Sequence, residues 1–218
     1  MKKRLVIALI LLILFSTYIP QKLFLINKFN IEKIEVENNS ILKDDEIKEA
    51  LAFLYHTNLF FLNTSNIEKK LKKKTFLESF EIKKIYPNIL KVKIFEKKPI
   101  FILQHNEEKF YINKNIDLIN YLDLEEYKKL PIIFGDKKNF EILYKNLKKI
   151  DFPFYLIKNY YLFDLNRWDL ETYEKKIIKL PPENYNKSLK NFMILREKNN
   201  FDKYKLFDYR ISNQLILK

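Results

Sequence analysis

A chain of 218 residues, 47% of them hydrophobic, has enough apolar material for packed cores, yet it contains no cysteine and a single glycine, Gly135. The missing thiols exclude disulfides, cysteine nucleophiles and thiolate metal sites, and one glycine excludes the close-approach loops that cradle nucleotide phosphates. The net charge of +13 does not mark a nucleic-acid binder: Lys2, Lys3, Arg4, Lys22 and Lys28 supply five of those charges before Ile31 with no acid among them, and the +8 left is interleaved with Asp and Glu.

The first element is the uncharged run from Leu5 to Phe15, continued through Ile19 behind three basic residues. As a helix, Leu5 to Ile19 covers about 22 Å against a hydrocarbon core of about 30 Å. The expected membrane anchor therefore takes in its flank and is assigned to residues 5–26, with Leu5, Phe15 and Ile19 in lipid. A cleaved signal peptide has the same basic start, but the stretch from Ser16 to Gln21 offers no pair of small residues at A-x-A spacing, so an uncleaved single-pass anchor is expected. Residues 1–4 then stay in the cytoplasm and the rest is exported.

Beyond the anchor, Ile34 and Val36 alternate with Glu35 and Glu37, which predicts a half-buried strand. Asp44, Asp45 and Glu46 favour a helix N-terminus, and Ile47, Ala50, Leu51 and Leu54 then share one apolar face. A second short helix is predicted with Ser65 and Glu68 as a capping box and Ile67 and Leu71 as its buried side. Phe80 and Ile82, then Leu90, Val92 and Ile94, read as two strands joined at Pro87-Asn88. Strand, helix, helix, strand, strand makes a small α+β domain, assigned to residues 30–98.

Residues 99–218 read as a strand-rich domain with two inserted helices. Phe110 and Ile112 predict a strand after a turn at residues 105–108, residues 131–136 read as the end of a loop, and Phe140, Leu143, Leu147 and Ile150 fall on one helical stripe. Strands are expected over residues 160–164, 168–170 and 176–180, and Pro182 is expected to open a helix burying Leu189, Phe192 and Leu195. The last strands are expected over 205–210 and 214–217, with Ser212-Asn213 as a two-residue turn.

No constellation for catalysis emerges. His56 and His105 lie far apart beside a helix end and a turn, the serines lack a nucleophile-elbow context, and Asp123 and Glu125 have no positioned partner. No metal, cofactor or enzymatic activity is therefore expected. Leu215-Ile216-Leu217 instead forms a terminal strand without proline or internal charge, the kind of edge that accepts a strand from another chain.

The stretch from Leu71 to Phe101, with two strands, a proline turn and a closing Glu96-x-x-Pro99, is similar to the POTRA domain of the FtsQ/DivIB family. Where that family carries glycine this chain has Asn39 and Asn58, expected to adopt the same left-handed backbone. Residues 167–192, with Arg167-Trp168-x-Leu170 and a Leu180-Pro181 turn, and the terminal residues 207–218 resemble the family's second domain. The resemblance implies a single-pass inner-membrane scaffold at the division septum, with a cytoplasmic N-terminus and a periplasmic C-terminal region. It implies binding to FtsB-like and FtsL-like proteins, and through them control of septal peptidoglycan synthesis. The implied partner-binding residues are Tyr209, Arg210, Ile211, Gln214, Leu215, Ile216 and Leu217, with Arg210 meeting a partner acid. The POTRA-like domain offers a second surface to other division proteins. Two alternatives stay open: an exported POTRA protein of envelope assembly or secretion, and a membrane-anchored cell-wall enzyme using a carboxylate between Asp117 and Glu126.

Overall fold

The computed structural model describes residues 2–17, 27–198, 200–211 and 213–218. The chain divides into two compact units, one up to Glu96 and one from Lys97 onward. The first begins with helix α1 (Lys2–Thr17), whose residues from Leu5 to Phe15 are exposed throughout. No helix among the described residues is long and apolar enough to cross a membrane. The expected anchor had reached beyond α1 to residue 26, and that flank, with Ile19, lies outside the described residues.

The rest of this unit is β1 (Lys33–Glu37), α2 (Asp44–Ala50), α3 (Thr64–Leu71), β2 (Leu77–Ile85) and β3 (Ile89–Glu96), with single 3₁₀ turns at Ala52–Leu54 and Leu59–Phe61. β3 is the central strand, parallel to β1 and antiparallel to β2. One face of this sheet is buried beneath the helices: Leu90, Val92 and Ile94 from β3 and Ile34 from β1 join Ile47, Leu51, Ile67 and Leu71 in the core. That one-sided burial is why the alternation is visible in the sequence.

Two local expectations are corrected. The cap of α3 is Asn63, whose side chain accepts from Ser65 N, so Ser65 sits inside the first turn; asparagine is as good a cap as serine and comes first along the chain. The left-handed residues are Asn38 (φ 63°) and His56 (φ 67°), not Asn39 and Asn58. Asn39 Nδ2 donates to Leu42 O and Asp44 Oδ1, bracing the loop before α2, and Asn58 accepts from Phe60 N as the cap of the 3₁₀ turn at Leu59–Phe61.

The second unit contains β4 (Pro99–His105), β5 (Glu108–Asn113), β6 (Leu118–Asn120), β7 (Ile132–Phe134), α4 (Lys137–Lys149), β8 (Ile157–Phe163), β9 (Arg167–Thr172), β10 (Ile177–Lys179), α5 (Tyr185–Arg196), β11 (Leu206–Asp208) and β12 (Ile216–Leu217). Its strands among the described residues form one sheet in the order β12-β11-β10-β9-β8-β7-β4-β5-β6. Two parallel pairs, β7 with β8 and β10 with β11, are bridged by α4 and α5. Phe140 on α4 packs against Phe101, Tyr160 and Trp168, and Phe192 on α5 packs edge to face on Phe207. The molecule is thus α+β, with a first unit of two helices on a three-stranded sheet and a strand-rich second unit.

Three readings of this unit change. Residues 132–134 are a strand, too short and too uniformly apolar to show alternation. Helix α5 starts at Tyr185 after Asn184 in the left-handed region (φ 55°), so Pro182 stays in the preceding connection, and Leu195 is only half-buried. The terminal hairpin is joined by residues 209–215 instead of a two-residue turn, and Ser212 lies outside the described residues. The cause is local: Asp208 Oδ1 accepts from Arg210 N, which turns the chain out of β11 early and leaves only Ile216 and Leu217 to pair back.

Gly135 ends β7 where the chain presses on β8. A Cβ there would stand 2.8 Å from Leu162 Cβ and 3.3 Å from Trp168 Cη2. Gly135→Ala is therefore expected to destabilise the protein by about 1–3 kcal/mol through overpacking. The expected signature is a lower urea midpoint with an unchanged slope.

Candidate functional site

At one edge of the large sheet, β12 pairs only with β11, in the register Phe207↔Leu217 and Asp208↔Ile216. Lys218 N donates to Leu206 O and Leu206 N donates to Lys218 O, so Leu206 and Lys218 are a hydrogen-bonded pair. Antiparallel pairs alternate, which makes Asp208 and Ile216 the next such pair and points the N–H and C=O of Leu217 away from β11. That outward row is the group a further strand would satisfy.

Beside this edge lies an open cavity of about 740 Å³ between the start of α5 and the loop that follows β11. Its walls include Pro182, Asn184 and Lys187 on one side and Arg210, Ile211 and Gln214 on the other. Ile211 and Ile216 are exposed, whereas Leu215 and Leu217 are half-buried against the core. Tyr209 is buried, and its hydroxyl donates to Asn191 Oδ1 on α5 at 2.9 Å. Burial holds that phenol protonated well above the usual range, so Tyr209 ties the loop to the helix and offers little free surface.

Arg210 is already engaged. Its Nε donates to both carboxylate oxygens of Asp208 (2.9 and 3.0 Å), and its Nη2 donates to Oδ2 at 2.6 Å. The guanidinium holds the Asp208 carboxyl below its ordinary range, against the opposing pull of burial. Two of the five guanidinium N–H groups are used in this fork, and the others face away from Asp208. Asp208 stands at the end of a charged row across three strands, because Lys179 on β10 is in register with both Asp208 and Asp169. Burial raises the Asp169 pKa, although Arg167 Nε lies 3.5 Å from its Oδ1.

The seven terminal residues singled out in the sequence thus come together at this edge, though not in equal roles: Arg210, Ile211, Gln214 and Ile216 are exposed, Leu215 and Leu217 half-covered, Tyr209 buried. Sequence reasoning missed Lys179, Asp169 and the α5 wall of the cavity. The spacing Asp208-x-Arg210 was the available signal for the intramolecular pair. Elsewhere, Asp123 and Glu125 both turn to Lys128, His105 Nδ1 donates to Gly135 O, and no group of three or more His, Asp or Glu among the described residues could hold a metal ion.

Comparison with known proteins converges on one group. Residues 29–97 match the family model for the POTRA domain, FtsQ-type. Over 190 residues the chain is 25% identical to cell division protein FtsQ of Rickettsia typhi, covering 85% of this chain and 71% of that one. It is 26% identical over 163 residues to cell division protein FtsQ of Agrobacterium fabrum, covering 74% and 51%. It is 31% identical over 87 residues to cell division protein DivIB of Clostridium acetobutylicum, covering 40% and 35%.

Proposed function

We propose, for a chain that matches the FtsQ-type POTRA model over residues 29–97 and is similar over most of its length to FtsQ cell division proteins and over 40% of it to a DivIB, that it is a single-pass scaffold of the divisome acting through its terminal sheet edge. Residues 1–4 lie in the cytoplasm, residues 5–26 cross the inner membrane, and residues 30–98 and 99–218 work in the periplasm at the septum. An FtsB-like partner, itself joined to an FtsL-like protein, adds an extended segment to β12. The pairing satisfies the outward groups of Leu217, covers Ile211, Leu215 and Ile216, and sets a partner carboxylate against the free side of Arg210. The protein performs no chemistry and controls septal peptidoglycan synthesis by holding its partners in place.

The observation that carries this reading is the unpaired outer side of β12 beside an open cavity, with an arginine fixed at the rim by Asp208. The test is calorimetric titration of the full-length protein in nanodiscs with the periplasmic segment of the same organism's FtsB-like protein, alone and paired with its FtsL-like partner. Saturable binding is expected; absence of binding to folded protein in both forms overturns the reading.

A further inference from the structure

The first unit carries an aromatic cluster that its core does not use. Phe29 and Phe60 meet edge to face at 4.9 Å, Phe60 and Tyr86 stack at 5.1 Å, and Phe29 and Tyr86 lie 6.1 Å apart. The rings come from three segments fixed to one another by the backbone: Leu59 N donates to Phe29 O, Ile31 N to Thr57 O, and Glu32 N to Asn88 O. Despite that rigid frame, Phe60 and Tyr86 keep about half of their surface in water (55% and 51%), and the adjacent Phe61 keeps 79%. A contiguous apolar patch held this firmly in solvent marks a contact surface.

What covers it follows from where the patch sits along the chain. On the anchor reading for residues 5–26, Phe29 comes three residues after the last membrane residue, a length that spans at most about 11 Å even when fully extended. With that anchor in a bilayer, this end of the unit cannot leave the membrane surface by more than that distance. The tether keeps its effective concentration at the surface near millimolar, on the order expected for short linkers. The flanking charge suits anionic headgroups, since within three residues of these rings along the chain stand Lys28, Lys83 and Lys84 and one acid, Glu32, which Asn88 Nδ2 contacts. Phenylalanine and tyrosine beside lysine is also the side-chain mix of the membrane interface.

We propose that Phe29, Phe60, Phe61 and Tyr86 seat the POTRA unit on the bilayer that holds α1, with the rings at headgroup depth. The inference rests on the anchor reading given above for residues 5–26. Seating fixes the unit's orientation at the membrane and leaves the free edge of β2 pointing along the surface or away from it, open to other proteins.

Because the chain has no cysteine, single labels report unambiguously. The full-length protein is reconstituted into nanodiscs of phosphatidylethanolamine and phosphatidylglycerol. Spin labels are placed by Leu12→Cys, Phe61→Cys or, at the exposed start of α2, Lys43→Cys. Collisional access to oxygen, which partitions into lipid, is compared with access to a water-soluble nickel chelate. The oxygen-to-nickel ratio at position 61 is expected to exceed that at position 43 several-fold, and to fall back when Phe60→Ser and Tyr86→Ser are added with circular dichroism unchanged. The label at position 61 replaces an exposed ring, so its reading stands even if the double variant misfolds. An immersed label at position 12 with a water-exposed label at position 61 overturns this inference alone. A label at position 61 shielded from both relaxants means a protein contact and overturns it too, and a water-exposed label at position 12 overturns it together with the anchor reading.

Discussion

Leu217→Pro is expected to lower affinity for the FtsB-like segment by about 10- to 100-fold, the equivalent of about 1–3 kcal/mol for one lost outward backbone donor and the partner acceptor left unpaired. The Leu217 N–H points away from β11, so proline there deletes a bond to the partner while leaving the β11–β12 pairing in place. Ile216→Pro acts differently. Ile216 is in a hydrogen-bonded pair with Asp208, so proline at that position detaches β12 itself and is expected to abolish binding with visible loosening of the terminus. Arg210→Glu places a second carboxylate against buried Asp208 and reverses the charge at the cavity rim, so binding is expected to fall further than with Arg210→Lys, which keeps the charge but loses the fork. Isothermal titration of the four variants, each checked by circular dichroism, decides the matter. Unchanged affinity in folded Leu217→Pro removes strand addition as the mechanism.

The ease with which the sequence yields this edge is uneven. β1 and β3 alternate visibly because one face of a small sheet is buried and the other is wet, and the stripes of α3 and α4 are legible for the same reason. β7 is not, since three consecutive apolar residues, of which only Ile133 is buried, leave no polar position to alternate with. The order of strands is harder still. Nothing local to residues 206–208 shows that they pair in parallel with residues 177–179 across helix α5, yet this crossover makes β11 and β12 the outer strands and brings α5 to the cavity. The terminal residues could therefore be named from the sequence, while the buried standing of Tyr209 came only from that non-local packing; the engagement of Arg210 with Asp208 two residues earlier is local, and the Asp-x-Arg spacing was its signal.

Glu96→Ala is expected to have the largest effect on the first unit. The Glu96 carboxylate closes β3 onto the loop before α2, accepting from Ser40 N (3.1 Å), Ser40 Oγ (2.8 Å), Ile41 N (2.9 Å) and Leu42 N (2.7 Å). Removing it leaves three backbone donors without their acceptor. Allowing for solvent screening at this half-exposed site, the cost is about 1–3 kcal/mol, a large share of the margin by which a small domain is stable. Burial works to raise the Glu96 pKa, but the Leu42, Ser40 and Ile41 donors together hold it below the ordinary value of 4.5. A carboxyl whose folded pKa is depressed contributes its stability above the unfolded value and loses it as the pH falls through the folded one. The wild-type unit is therefore expected to weaken below about pH 4.5, with amide exchange at Ser40, Ile41 and Leu42 rising first. Glu96→Gln keeps an oxygen acceptor without the charge and is expected to fall between wild type and Glu96→Ala at pH 7, with a flatter acid limb. Hydrogen exchange by mass spectrometry across residues 38–44, at pH 7 and at pH 4, reads all three proteins. Equal protection in wild type and Glu96→Ala at pH 7 refutes the clamp.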